Sequence, residues 1–414
     1  MAVKGLEISR RKFLRLSGKT ACGLVAASVG LASPGNRSTP ATGAIRLERQ
    51  STGSEIWQIT AEQFTQSNIY CELPYCSGDG RYFVYERRNP RLEGDNKTEL
   101  MAVELGTWKQ HRLDAAAGLT GCAISHEGVF YYLKRAGRKT LNLMKADLAD
   151  GVPEKIYQMP DEGRLTSLGT VSASGRYYAC GKRLSDHYRM FGIMLINLEN
   201  SAETIIDRDP FIFNPHPQFE PGVSEQLMIQ HNRGGQFSPE GKRIRLVGPE
   251  GATLYLLSVP GGERTELQVG KPFTTAATGH ETWIGKTKEI LLTVMADGDY
   301  APDKGNLLAV RAGSPPRVVA KGYKFNHLGV SRCGRFFCCD DWQGAAKIVI
   351  GSVRTGRTAV VCESKALMKG PQYTHPHAYL TPDLKWVIFN SDRSGSPHIH
   401  AANVPEEMIE ALLA

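Results

Sequence analysis

Apolar residues recur along this chain in short runs, and each run follows a tight turn rich in Gly, Ser or Asp. The aromatic run at residues 82–85 follows such a turn at 77–80. A polar loop comes next, and a third apolar segment follows it at residues 100–103. These runs are shorter than ordinary helices and are rich in aromatic and β-branched residues, which indicates β-strands. The repeating unit therefore predicts a small antiparallel sheet.

The turns recur about 47 to 50 residues apart, except for one longer gap between the fourth and the fifth. They lie at residues 77–80, 125–128, 172–175, 220–222, 284–286, 331–334 and 381–383. Four-stranded units at this spacing predict an all-β, seven-bladed β-propeller, because a single sheet cannot bury both of its faces alone. We expect residues 55–59 to close the ring by pairing with the last blade, and the irregular spacing near Gly234 predicts an insertion in blade four. A pair of β-sandwiches is the competing fold.

The first residues have the pattern of an export signal. Residues 9–14 read Ser-Arg-Arg-Lys-Phe-Leu, a twin-arginine pattern, and a mildly apolar stretch of small residues follows. We assign residues 1–32 to a twin-arginine signal peptide, 33–50 to a linker and 51–414 to the propeller; a disordered basic tail is the alternative for the first segment. The signal implies the twin-arginine export machinery as a partner and a periplasmic or secreted protein.

Composition narrows the classes of partner. Hydrophobic residues make up 41% and charged residues 22% of the chain, as in ordinary globular proteins. Residues 1–32 hold six basic side chains against one acid, so the formal net charge of +8 falls to about +3 for the rest. The sequence contains no basic stripe with interleaved aromatic residues, the pattern that would predict nucleic-acid binding. It also contains no run of about twenty apolar residues, the pattern that would predict a membrane span.

Five of the eleven histidines fall at nearly the same height of the repeat. Each lies six to eight residues before the last residue of the turn that follows the first strand of its blade: His216, His280, His327, His375 and His377. First strands line the channel of a propeller, so these imidazoles are predicted near one mouth. Chance clustering, and a surface pair in the case of His375 and His377, are the alternatives. Imidazoles with the amide of Gln372 suit manganese, iron, nickel or zinc better than calcium.

Several segments resemble the oligogalacturonate lyases, the seven-bladed propellers of polysaccharide lyase family 22. They are residues 278–283, which read Thr-Gly-His-Glu-Thr-Trp, the Gln-x-x-His-Pro-His pattern at 372–377, the His-Pro-Gln-Phe segment at 216–219, and residues 389–397. The likeness covers roughly residues 55 to 410. At one point the chain departs from the family: residues 230–234 read Gln-His-Asn-Arg-Gly where Cys-His-Glu-Gly-Pro is common.

The resemblance implies a site for Mn²⁺ and a histidine base beside it. The four implied ligands are His280, Gln372, His375 and His377. His216 is the first candidate for the base and His231 the second. The resemblance also implies an arginine near the substrate, for which Arg189 and Arg183 are candidates.

The implied enzyme is a carbon–oxygen lyase that cleaves pectin-derived uronate oligosaccharides by β-elimination. A metal neutralises the uronate carboxylate, a neutral imidazole removes the C5 proton, and the C4 oxygen leaves. Arg183, Arg189 or Arg233 are candidates for holding a second carboxylate, and His327 for a further substrate contact. The alternatives are an exported, non-catalytic propeller that binds an oligosaccharide or a protein, and a serine peptidase, whose Gly-x-Ser-x-Gly motif the sequence does not contain.

Overall fold

Sheets of four antiparallel strands follow one another along the chain and share one axis. The structure, a computed structural model, describes residues 43–222, 225–368 and 370–414. The predicted signal peptide lies outside these residues. Two strands precede the first blade, β1 (Ile45–Arg49) and β2 (Glu55–Gln58).

The seven blades are continuous in sequence, apart from the closing strands. Blade one contains β3 (Gln66–Asn68), β4 (Tyr82–Arg87), β5 (Thr98–Glu104) and β6 (Gln110–Ala116). Blade two contains β7 (Ala123–Ile124), β8 (Phe130–Arg135), β9 (Thr140–Ala146) and β10 (Glu154–Pro160). Blade three contains β11 (Leu165–Val171), β12 (Tyr177–Arg183), β13 (Phe191–Asn197) and β14 (Ala202–Asp209).

The fourth blade carries an insertion, as predicted. Its sheet contains β15 (Gln218–Phe219), β16 (Gln226–His231), β19 (Thr253–Ser258) and β20 (Arg264–Glu266). Between β16 and β19 the chain forms a separate hairpin of β17 (Gln236–Phe237) and β18 (Arg243–Arg245).

The remaining blades follow the same order. Blade five contains β21 (Ala277–Trp283), β22 (Ile290–Val294), β23 (Leu307–Val310) and β24 (Arg317–Ala320). Blade six contains β25 (Phe325–Val330), β26 (Phe336–Asp341), β27 (Lys347–Ser352) and β28 (Thr358–Glu363). Blade seven contains β29 (Tyr379–Leu380), β30 (Trp386–Ser391) and β31 (His398–Asn403), and the helix α1 (Glu406–Leu413) follows it and contacts β27 and β28.

The ring closes where it was predicted to close. β2 pairs with β31, with Ile56 opposite Ala402, and β1 adds a fifth strand outside β2. The seven-bladed propeller is therefore confirmed, and the sandwich alternative is wrong. Because β1 covers Ile45–Arg49, the folded part includes residues that the sequence assigned to the linker.

Hydrophobic side chains are buried mainly between neighbouring sheets. Ile348 and Ile350 of blade six, for example, share one buried cluster with Val387 and Phe389 of blade seven. The inner strands β19 and β22, for example, are almost wholly buried, whereas the outermost strand β20 is exposed along its length. Among the described residues, no helix is long and apolar enough to cross a membrane.

Candidate active site

Backbone irregularities at the channel place the predicted histidines outside regular strand pairing. The pairing of β21 with β22 shifts register between Ala277 and Glu281, around His280, and that of β25 with β26 shifts around His327. Such bulges redirect side chains and are frequent beside active sites. His216 and His377 have positive φ angles of 43° and 41°, in the left-handed region that few non-glycine residues adopt.

Four imidazoles from blades five, six and seven meet in what we call the histidine cluster: His280, His327, His375 and His377. The ring centre of His327 lies 4.4 Å from that of His280, 4.3 Å from that of His377 and 5.2 Å from that of His375. One nitrogen from each of His327, His375 and His377 lies within 4.8 Å of the other two. All three side chains are buried.

Neighbouring groups hold one nitrogen of three of these rings, and the Nε2 atom of His327 also has a long contact of 3.4 Å with the Asn326 amide nitrogen. The Nδ1 atom of His327 is 2.6 Å from Asp340 Oδ2, and the Nδ1 atom of His280 is 3.2 Å from the Tyr70 hydroxyl. The Nε2 atom of His375 lies 3.1 Å from the carbonyl oxygen of Gly370. In the described part of the chain, buried His375 Nδ1 and His377 Nε2 have no hydrogen-bond partner.

The electrostatics of the cluster favour neutral imidazoles. Burial lowers the pKa of His280, His327 and His377 well below the ordinary value, and the neighbouring imidazoles lower it further. Neutral imidazole is the form that binds metal ions. Two nitrogens bound to one ion at about 2.1 Å lie at most about 4.2 Å apart. The separations here, all within 4.8 Å, need only a small inward movement of the rings to meet that limit. The spacing and the unpaired nitrogens therefore fit a divalent transition metal.

A second group of titratable side chains, which we call the His216 group, contains Glu72, His216 and Glu281. The Nδ1 atom of His216 lies 2.9 Å from Glu72 Oε1 and 3.9 Å from Glu281 Oε1. The other oxygen of Glu72 accepts a hydrogen bond of 2.8 Å from the Gln218 amide. The opposite nitrogen of the imidazole, Nε2, lies 2.8 Å from the Asn214 amide.

The two carboxylates control the protonation of this imidazole. Burial disfavours the imidazolium, but Glu72 and then Glu281 overcome it and raise the pKa of His216 to about 9. Burial also raises the pKa of Glu281 to about 8, against the attraction of His216. Among the described residues, neither oxygen of Glu281 has a hydrogen-bond partner. Tyr70 connects the two groups, since its ring centre lies 5.8 Å from that of His216 and 5.0 Å from that of His377.

Two of the residues predicted for this site lie apart from these contacts. The side chain of Gln372 is exposed, on a short 3-10 helix (Gln372–Thr374) that precedes the clustered histidines. His231 ends β16 and pairs with Asp209 at 3.0 Å, packed against Tyr255. The structure thus brings together His216, His280, His327, His375 and His377.

The predicted arginines make other contacts. Arg233 donates hydrogen bonds of 2.9 to 3.0 Å to the backbone carbonyls of Glu250, Gly251 and Lys271, so its guanidinium stabilises a loop. Arg183 lies 4.2 Å over the ring of Tyr188. Arg189 is exposed in the loop between β12 and β13.

Sequence reasoning missed Tyr70, Glu72, Glu281 and Asp340. Glu72 stands eight residues before Gly80, as His375 stands eight before Asp383, so this carboxylate lies at the same height of the repeat as the histidines. Applying the same spacing to carboxylates would have identified Glu72. Asp340 lies at the end of a buried second strand, where the sequence offers no comparable signal.

Comparisons with known proteins agree with this architecture. No protein-family profile matches the chain. An oligogalacturonide lyase from Pectobacterium atrosepticum is 23% identical over 324 residues, covering 68% of this chain and 76% of the relative. A solved oligogalacturonate lyase in complex with manganese superimposes with a TM-score of 0.67 at 19% identity, over 88% of this chain and 97% of that one.

A second solved oligogalacturonate lyase, from Vibrio parahaemolyticus, gives a TM-score of 0.64 at 18% identity over 88% of this chain and 98% of that one. At these identities the superpositions establish the fold. The predicted resemblance is confirmed: this chain is similar in sequence and in fold to the oligogalacturonate lyases.

Proposed function

We propose that this protein is a metal-dependent lyase that cleaves uronate oligosaccharides, with oligogalacturonate as its first candidate substrate, by β-elimination. The observation that carries the proposal is the adjacency of the histidine cluster and the His216 group, with Tyr70 in contact with both. The proteins that this chain resembles are named oligogalacturonide lyase and oligogalacturonate lyase, which supports this substrate class.

His280, His375 and His377 are the side chains that we expect to hold the cation. Buried nitrogens of His375 and His377 have no hydrogen-bond partner among the described residues, and all three side chains are imidazoles. Such a donor set suits a divalent transition metal. When bound, such a cation supplies positive charge that stabilises the negative charge developing on the uronate carboxylate. Manganese is the first candidate, because one similar solved structure contains it.

His216 is the side chain that we expect to remove the C5 proton. Its Nδ1–H donates to Glu72, so Nε2 carries the lone pair that accepts the proton. In the absence of substrate that lone pair accepts a hydrogen bond of 2.8 Å from the Asn214 amide, which the substrate must displace. The electrons of the C5–H bond form the C4–C5 double bond as the C4–O bond breaks, and the departing oxygen takes a proton from solvent. Glu72 then faces the imidazolium, and its negative charge stabilises it. His231 is the weaker candidate, because Asp209 and Tyr255 hold it in another contact group.

The test follows the ultraviolet absorbance of the new conjugated double bond with a panel of uronate oligomers. We expect absorbance to rise with galacturonate oligomers, to stop after treatment with a chelator, and to return when Mn²⁺ is added. His216→Gln should lower kcat by about 10² to 10⁴, while replacement of the exposed His187 by Gln serves as the matched control. No absorbance change with any uronate would contradict the proposal and favour the non-catalytic binding module.

We also propose that the protein is exported through the twin-arginine machinery, on the evidence of residues 9–14. Replacing Arg10 and Arg11 with Lys should keep the full-length protein in the cytoplasm. Fractionation of cells that express the two forms tests this, and equal export of both would contradict it.

A further inference from the structure

We propose that His327 is a further ligand of the cation at the histidine cluster, that Asp340 orients it, and that it takes the place of Gln372. This inference rests on the proposed metal-dependent function. It changes the donor set from three imidazoles and an amide oxygen to four imidazoles.

The position of His327 is the first argument. Its ring is the one that contacts all three other imidazoles of the cluster, at the distances given above. Its side chain is only 2% exposed, so a polymeric substrate in the channel has little of it to touch. Gln372, by contrast, is exposed. A ligand role fits this burial better than the substrate contact that the sequence predicted.

The contact with Asp340 is the second argument. Asp340 is wholly buried on β26, and it accepts one hydrogen bond from the His327 backbone N–H at 2.9 Å and another from the imidazole Nδ1 at 2.6 Å. These two bonds fix the ring and put its proton on Nδ1, so Nε2 carries the lone pair. That nitrogen has a long contact of 3.4 Å with the Asn326 amide nitrogen, which a cation would displace. A carboxylate behind a histidine also increases its basicity as a ligand, a common arrangement at metal sites.

The surroundings of the ring provide the third argument. The indole of Trp342 makes T-shaped contacts with His327 and His375, with ring centres 5.1 and 5.0 Å apart. The Gly370 carbonyl and the Tyr70 hydroxyl hold His375 and His280 as Asp340 holds His327. Three rings of the cluster therefore have an outer partner that positions an inner nitrogen, as expected for preorganised metal ligands.

A site of four imidazoles has a chemical consequence. Nitrogen donors favour zinc, cobalt, nickel and ferrous iron, whereas oxygen donors suit manganese and magnesium. We therefore expect Co²⁺ to bind more tightly than Mn²⁺ and the bound Co²⁺ to have a nitrogen-rich ligand field in its visible spectrum.

The experiment measures metal affinity directly, without an activity assay. Metal-free full-length protein is titrated with Co²⁺ and with Mn²⁺ by calorimetry, and metal content is measured by elemental analysis. We expect His327→Ala to weaken Co²⁺ binding at least about 100-fold and Asp340→Asn about 10- to 100-fold. Gln372→Ala should change it by less than about threefold. His398→Gln, at a buried histidine outside the cluster, is the matched control.

Loss of affinity in Gln372→Ala together with unchanged affinity in His327→Ala would overturn the inference. If His327→Ala does not fold, a crystal structure of the wild type soaked with Co²⁺ decides the question by anomalous scattering. A cobalt ion about 2.1 Å from His327 Nε2 supports the inference, and one beyond about 3 Å from it overturns it.

These outcomes separate the inference from the proposed function. Tight Co²⁺ binding that depends on His327, without cleavage of any uronate, refutes the lyase and leaves the ligand assignment standing. Chelator-sensitive cleavage with metal affinity that does not depend on His327 refutes the ligand assignment and leaves the lyase standing.

Discussion

Replacing Glu72 with Gln tests both the identity of the base and the electrostatics that govern it. The carboxylate of Glu72 lies 2.9 Å from the imidazole of His216, and a glutamine keeps its shape while removing the charge. Since the base must be neutral to accept a proton, activity rises with pH as His216 loses its proton. Anything that stabilises the imidazolium moves that rise to higher pH.

The structure gives the size of the effect. A rise of the pKa of His216 from an ordinary 6.5 to about 9 corresponds to about 3 kcal/mol, because one pH unit is worth about 1.4 kcal/mol. Only 14% of this side chain is exposed, so solvent screens the contact weakly. Burial raises the pKa of Glu281 to about 8, which keeps it mostly protonated at neutral pH. Glu72 therefore supplies most of the stabilisation.

The assay is the pH dependence of kcat/KM for the wild type and for Glu72→Gln, with saturating metal. In the wild type we expect the rise near pH 9. In Glu72→Gln we expect it about one to two pH units lower, because the main partner of the imidazolium is gone while Glu281 ionises more readily and replaces part of it. The variant should then be relatively more active at neutral pH than its activity at pH 9 suggests.

The matched control is Asp209→Asn, which removes the carboxylate beside His231, the other candidate base. This change should leave the pH profile in place. A profile that does not move in Glu72→Gln but shifts in Asp209→Asn would refute the reasoning and make His231 the base.

Three further changes test the ring and the site. Ile56→Ala, at a fully buried position of the closing strand β2, should lower the free energy of unfolding by about 2 to 4 kcal/mol, whereas the exposed Ile45→Ala should change it by less than about 0.5 kcal/mol in the same urea titration; equal effects would contradict the closure. Asn390→Ala removes a wholly buried amide that joins blade one to the segment before β29. Because this leaves buried polar groups without a partner, the free energy of unfolding should fall by about 2 to 4 kcal/mol; an unchanged urea titration would contradict this. Tyr70→Phe removes the hydroxyl 3.2 Å from His280 Nδ1 and should weaken metal binding about tenfold by calorimetry without lowering the melting temperature of the metal-free protein; full affinity would show that the hydroxyl does not orient the ring.

Much of the fold was readable from the sequence because a propeller repeats a local unit. Turn residues and short aromatic strands depend on local backbone preferences and on side-chain alternation, so the blades, the insertion in blade four and the closing strand were all predicted. The sequence did not predict that the folded part begins as early as Ile45. β1 is a largely exposed edge strand: Ile45 and Leu47 alternate with polar residues, but this short alternation lies outside the repeating unit and was assigned to the linker.

The site was only partly readable, because its contacts join residues far apart in the chain. The repeat placed five histidines at one height, and the structure brings all five to the channel. The contact of Glu72 with His216 spans 144 residues and exists only because the closed ring brings blade one near blades four and five. His231 and Arg233 lie in the segment where the chain departs from the family pattern, and their side chains pair with Asp209 and with loop carbonyls.

The sequence alone thus determined the repeating unit, the number of blades and the height of the histidines, since each of these follows from local patterns. Tertiary structure decided which groups meet: the pairing of His216 with two carboxylates, and the place of His327 before Asp340 among the other imidazoles. The physical reason is that protonation and metal affinity depend on distances of a few ångströms between blades. Those distances are set by ring closure and by bulges in two inner strands, which a one-dimensional pattern does not encode.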